Sequence, residues 1–208
     1  IISIAQLKFG GLRSTFSYRI LSLNKKVISV AATEVIQFWF DEIEPAQRFK
    51  KDLEFDSLIR TRFLDLHTRA SKGLLYAWRD YPLDALAEII ILDQFSRNLF
   101  RDSAEAFVYD TLALVLAQEA IRQKLDEELE ESKRAFLYMP FMHSESADIH
   151  EIALYLFDCP GLEDNYNFEL RHKAIIDRFG RYPHRNDLLG RESTPEEIEF
   201  LQQPGSSF

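Results

Sequence analysis

Apolar residues recur every three or four positions along most of the chain, and no stretch alternates apolar with polar long enough to read as a strand. The pattern predicts a helical protein. Val35, Ile36, Trp39 and Phe40 form one stripe over 33–41, and Phe55, Leu58, Ile59, Phe63, Leu66 and Ala70 form another over 52–72, which Gly73 ends. Pro82 suits the first turn of a third helix running to about residue 101. Ser103 is expected to cap the next, whose Leu112, Leu114, Val115 and Leu116 read as mostly buried before Lys124. The apolar run at 134–145 is kinked or ended by Pro140. Ile149, Ile152, Ala153, Leu156 and Phe157 mark a helix over 148–157, stopped by Pro160 and Gly161. Phe168, His172, Ile175, Ile176 and Phe179 share the face of another, closed by Gly180 and Pro183. Thr194, Pro195 and Glu197 start a short last helix to about residue 203.

This pattern changes how the polar residues read. Ile89, Ile90, Ile91 and Leu92 are four consecutive large apolar residues, so their helix is expected to be buried all round. Asp93, Arg97 and Arg101 then follow at four-residue steps, with Gln94 and Asn98 on the adjoining row. In a buried helix such groups satisfy one another or face a wet cavity, because an unpaired buried charge is costly. Past Pro140 stand His143, Ser144 and Glu145, a histidine and a carboxylate close enough on a turn for acid/base work. Beyond Gly180 come Arg181, His184, Arg185, Asn186 and Arg191, interleaved with Tyr182, Leu188 and Leu189 as anchors into the core. Arginine forks suit carboxylate or phosphate, and histidine titrates near neutrality. His67, one turn after Phe63, reads as a satisfied structural residue, and Lys173 with Asp177 as a surface pair.

The stretches LDQFSRNLFR at 92–101, PFMHSE at 140–145 and RHKAIIDRFGRYPHRNDLLGRESTPEE at 171–197 resemble the bacterial family catalogued as domain of unknown function 924. The similarity runs from about Val35 to Leu201 and begins with FWF at 38–40. The resemblance implies an all-α, single-domain fold, a tetratricopeptide-like right-handed array of helical hairpins (an α-α superhelix). It brings no assigned activity. No 34-residue repeat with the tetratricopeptide consensus is visible in the sequence itself.

Composition narrows the functional classes. The chain has 208 residues, enough for one domain with a sizeable core, and its 17 phenylalanines point to large aromatic wedges between helices. A net charge of −9 disfavours nucleic acid as a partner. No run of about 18 apolar residues suggests a membrane span. Cys159 is the only cysteine, expected to be a small buried apolar residue in a reducing, cytoplasmic setting. Five acids between Asp126 and Glu131 read as a solvated boundary. Residues 1–33 carry five basic residues and no acid, as organelle transit peptides do. The preferred reading is upstream sequence ahead of a start at Val27 or Val30, which leaves a domain over 34–203 and a tail over 204–208.

The candidate site joins the three motifs. Asp93, Gln94, Arg97, Asn98, Arg101, Asp177, Arg178, Arg181, His184, Arg185 and Asn186 are the candidate ligand-binding residues, with His143, Glu145 and His172 as candidate proton-transfer groups. If they converge, they suit a small anionic ligand, and in an enzyme they suit hydrolase or lyase chemistry without cofactor or metal. His143, Glu145 and His150 lack the spacing of a zinc helix, and no Gly-rich phosphate loop or GxSxG elbow occurs. The alternative is a non-enzymatic helical scaffold that binds an acidic peptide or protein partner. A third outcome is a polar network that only locks the helices together. The sequence leaves the oligomeric state open.

Overall fold

The computed structural model describes residues 30–207, and within them every regular element is helical. The expectations for a transit peptide and for a start at Val27 lie outside the described residues, while Val30 is the first described residue and is helical. Helix α1 is described over 30–37 and runs into a π turn at Phe38–Glu42. Asp52 caps α2 (Leu53–Ser71), its carboxylate accepting from the N–H groups of Glu54 and Phe55. Gly73, at φ +68°, follows the end of that helix. Then α3 (Pro82–Ile90) continues through a π turn at Ile91–Phe95 into α4 (Ser96–Leu99). It is followed by α5 (Asp110–Arg122), α6 (Glu131–Met142), α7 (Ala147–Phe157), α8 (Glu163–Phe179) and α9 (Pro195–Leu201).

The helix from Pro82 to Leu99 is the centre of the main core. Every residue from Ala85 to Ser96 is buried, because α2, α5 and α6 pack around it. Phe38, Trp39, Phe55, Phe63 and Phe95 interlock there, with ring centroids 4.9 to 6.4 Å apart. His67 is buried in the same core and meets Ser96 Oγ at 2.9 Å, the structural role its setting predicts. A smaller cluster of Ile175, Ile176 and Tyr182, backed by Phe179 and Phe200, joins the end of α8 to α9.

Several local expectations are corrected. Ser103 does not cap α5: it bonds back to the Phe100 carbonyl and precedes a 3-10 turn at Ala104–Phe107. Pro140 does not end its helix, which reaches Met142, since only one hydrogen bond close to the C-terminus is forfeited. Val115, Ile152 and Phe168 are exposed, because the faces of α5, α7 and α8 turned from their neighbours are covered by nothing among the described residues, and Leu189 is exposed in the turn after Arg185. Asp126 is buried and accepts a bond from Tyr138 Oη at 2.7 Å, so the acidic boundary is solvated at the other four acids only. Cys159 is half-buried against the core.

Candidate functional site

The π turn at Ile91–Phe95 widens the buried helix where Asp93 and Gln94 leave it. Side chains one turn on take up two of its carbonyls: Ser96 Oγ donates to Leu92, and Arg97 Nη1 donates to Asp93. Asp93 is 1% exposed, with Oδ1 2.8 Å from His143 Nδ1 and Oδ2 2.6 Å from Gln94 Nε2. Burial opposes its ionisation, but the charge of Arg97 and the hydrogen bonds from His143 and Gln94 overcome that and hold the carboxyl below the usual range. An ionised Asp93 can only accept, so His143 donates from Nδ1 and its Nε2 is left as the basic nitrogen. Burial and then Arg97 push the His143 pKa down, against Asp93.

Arg97 reaches on to Asp110 in the first turn of α5, with both guanidinium nitrogens 3.1 Å from its oxygens. Arg185 Nη1 meets the same carboxylate at 3.3 Å. The Arg185 guanidinium lies 4.5 Å from the Tyr182 ring centroid and 4.7 Å from that of Phe107. Its Nε is buried with no hydrogen-bond partner among the described residues. Two arginines thus share one carboxylate.

Tyr182 joins the two cores. Its hydroxyl donates to the Met142 carbonyl at 2.5 Å, and the rings of His172 and His184 lie 5.8 and 5.6 Å from its own. His172 donates from Nδ1 to the Phe168 carbonyl at 2.8 Å. Burial lowers the His172 pKa to about 3 and the His184 pKa to about 4; Arg185 adds to both effects. Both rings are therefore neutral at pH 7. Glu145, at the end of the turn after α6, accepts from the Tyr182 N–H and from both Nη atoms of Arg191.

Asp93, Gln94, Arg97, His143, His172, His184 and Arg185 thus gather along the seam between the main core and the smaller cluster, with Glu145 at its border. The other candidates stand apart. Asn98 and Arg101 both bind Asp56 on α2, at 2.5 to 2.8 Å. Arg181 and Asn186 bind Glu197, which also completes the capping box with Thr194. Arg178 pairs with Glu196 on the surface, and Asp177 with Lys173. Sequence reasoning missed Asp110, which reads as an ordinary acid in a first helical turn. It also set aside His150, whose partner Glu169 lies 19 positions on with no spacing signal. Among the described residues no group of three or more His, Cys, Asp or Glu could hold a metal ion.

Fold and seam define a single helical domain with a buried polar joint between two apolar clusters. The chain belongs to the family described as bacterial protein of unknown function (DUF924), whose profile matches residues 35–205. It is similar to the solved structure of ATU0120, a protein of unknown function from Agrobacterium tumefaciens, with 37% identity and a TM-score of 0.80. That match covers 84% of this chain and 98% of the other. No curated protein matches the chain.

Proposed function

We propose that the seam binds a small molecule carrying a carboxylate or phosphate, and that His143 moves a proton on it. The sharing of Asp110 by Arg97 and Arg185 carries this reading. Arg97 is also paired with Asp93 at 3.4 Å, so Arg185 is the cation left with only a share of Asp110, and its Nε still has a donor to give. A ligand anion beside Arg185 would take that donor. Asp93 orients His143 with Nε2 as a base, and burial keeps that base neutral near pH 7. Hydrolysis or elimination without a metal fits this set, with the arginines stabilising charge that develops on the substrate.

The packing of α6 on α7 and of α7 on α8 supports the tetratricopeptide-like array as the finer description of the fold, and the single cysteine supports a cytoplasmic location. A scaffold for acidic peptides has less support. Such a scaffold needs open arginines, whereas Arg97, Arg181 and Arg191 already hold carboxylates.

Thermal unfolding of the full chain with phosphate, pyrophosphate, sugar phosphates and dicarboxylates tests the reading, with Arg185→Gln and His143→Gln as variants. A ligand at about one hundred times its Kd stabilises by roughly 2.7 kcal/mol, a rise of several degrees at about 2 to 4 °C per kcal/mol. The rise is expected to vanish in Arg185→Gln and to persist in His143→Gln, which instead loses turnover. The same rise in a folded Arg185→Gln variant, or no rise with any anion, would sink the proposal.

A further inference from the structure

A cleft of about 730 Å³ opens where the 3-10 turn at Pro45–Phe49 faces the start of α6 and the loop before α8. It shares no lining residue with the seam. Arg48 stands in its wall, its guanidinium 5.2 to 5.9 Å from the ring centroids of Phe40, Phe136 and Trp39. Arg48 Nε donates to the Trp39 carbonyl at 3.0 Å. Among the described residues, no carboxylate comes within ion-pair distance of Arg48, and its two Nη groups have no hydrogen-bond partner. That sets it apart from Arg79, Arg97, Arg101, Arg181, Arg185 and Arg191, each of which meets an aspartate or glutamate. Burial lowers the Arg48 pKa, because desolvation disfavours the charged guanidinium.

The rest of the cleft is apolar in one part and acidic in another. Phe49 is 70% exposed and stacks on the buried Phe136, with planes 14° apart and centroids 6.4 Å apart. Met139 and Leu162 also line the cleft, and both are buried. Glu130 and Glu131 stand in the wall as well; Glu130 pairs with Lys133 at 2.9 Å, and the stem of Glu131 lies against Gly161. Those two acids repel a polyphosphate, while one carboxylate can still reach the Arg48 guanidinium. We infer that this cleft is a binding site for an aromatic monocarboxylate, its acid paired with Arg48 and its ring against Phe49. An exposed aromatic beside a cation with no counter-charge among the described residues suits a ligand with one flat apolar end and one negative end.

The chain has two methionines, Met139 in the wall of the cleft and Met142 at the end of α6, outside the lining and tied through its carbonyl to Tyr182. Met139 Sδ also accepts from Gln94 Nε2 of the seam at 3.4 Å, so in methyl-labelled methionine NMR on the full chain a Met139 shift belongs to the cleft where Arg48→Gln weakens it and Arg185→Gln does not. Titration with 3-phenylpropionate is expected to move the Met139 methyl and leave Met142 in place. Propionate and 3-phenylpropanol should bind at least tenfold more weakly. Arg48→Gln should weaken 3-phenylpropionate at least tenfold and Phe49→Ala several-fold; Phe49 is exposed, so that variant keeps the fold. Arg185→Gln should leave this binding unchanged, which separates the cleft from the seam. The inference fails if the alcohol binds as well as the acid, if Arg48→Gln and Phe49→Ala bind normally, if Met142 moves in place of Met139, or if neither methyl moves at millimolar ligand.

Discussion

His150 Nδ1 lies 2.6 Å from Glu169 Oε1, with both side chains wholly shielded from solvent. The other ring nitrogen faces the Ser144 carbonyl at 2.8 Å, so both nitrogens of His150 face oxygen acceptors. The pair must therefore hold one proton between ring and carboxyl. Burial pushes the Glu169 pKa up, partly offset by His150. This proton ties α8 to α7 and steadies the turn that carries His143.

Glu169→Ala should therefore cost about 3 to 5 kcal/mol, the usual loss when one partner of a buried pair is removed. Glu169→Gln, which imitates the protonated acid, should cost about 1 kcal/mol. Urea unfolding compares them, and equal losses would show that the proton is immaterial.

Stability should fall as the pH drops below about 6.5. His67 and His184 have pKa values lowered to about 4, and His172 to about 3, first through burial. Unfolded histidine titrates near 6.5, so between roughly 4 and 6.5 the unfolded chain binds more protons than the folded one. Stability is then complete above that window and declines through it, by up to about 1.4 kcal/mol per pH unit for each ring. Denaturation midpoints between pH 7 and pH 4 measure the slope. His67→Gln should lessen it by about one ring's share.

Glu197 is held down to about 2, chiefly by Arg181. A lowered carboxyl contributes stability above its unfolded pKa and loses it as the pH falls toward the folded value. Glu197→Gln should cost about 1 to 2 kcal/mol at neutral pH, through the ion pair and the capping box. The same variant should lose less than the parent between about pH 4.5 and pH 2. Parallel acid titrations of unfolding would overturn this reading.

Gly161 and Gly180 both have positive φ, at 88° and 67°, but a Cβ on Gly161 would stand 2.8 Å from Glu131 Cγ while one on Gly180 meets nothing within 4 Å. Gly180→Ala should cost about 1 kcal/mol from backbone strain alone, and Gly161→Ala more. Thermal unfolding of the two variants ranks them; the reverse order would mean that Glu131 swings aside freely.

Most helix starts and stops were legible because they depend on residues a few positions apart; Ser103 and Pro140 were the exceptions. Asp52, Pro82, Gly180 and the Thr194–Glu197 box act within one turn of where they stand, and each does what its chemistry dictates. The four apolar residues at 89–92 likewise announced a helix buried on every side, because burial on all faces requires apolar side chains on all faces. Pairs four residues apart were legible, as Lys173 with Asp177 and Asp93 with Arg97 show, but the distant partners of the charged residues were not. Arg97, Arg101 and Arg181 read alike as ligand-binding cations, yet Arg97 meets Asp110, Arg101 meets Asp56 and Arg181 meets Glu197. An ion pair between side chains far apart in sequence leaves no periodicity and no spacing, since it depends only on how the helices cross. Sequence alone determined which segments are helical and which helix lies at the centre. Only the tertiary structure decided that two arginines share Asp110, that Asp93 holds His143, and that Arg48 has no counter-charge among the described residues.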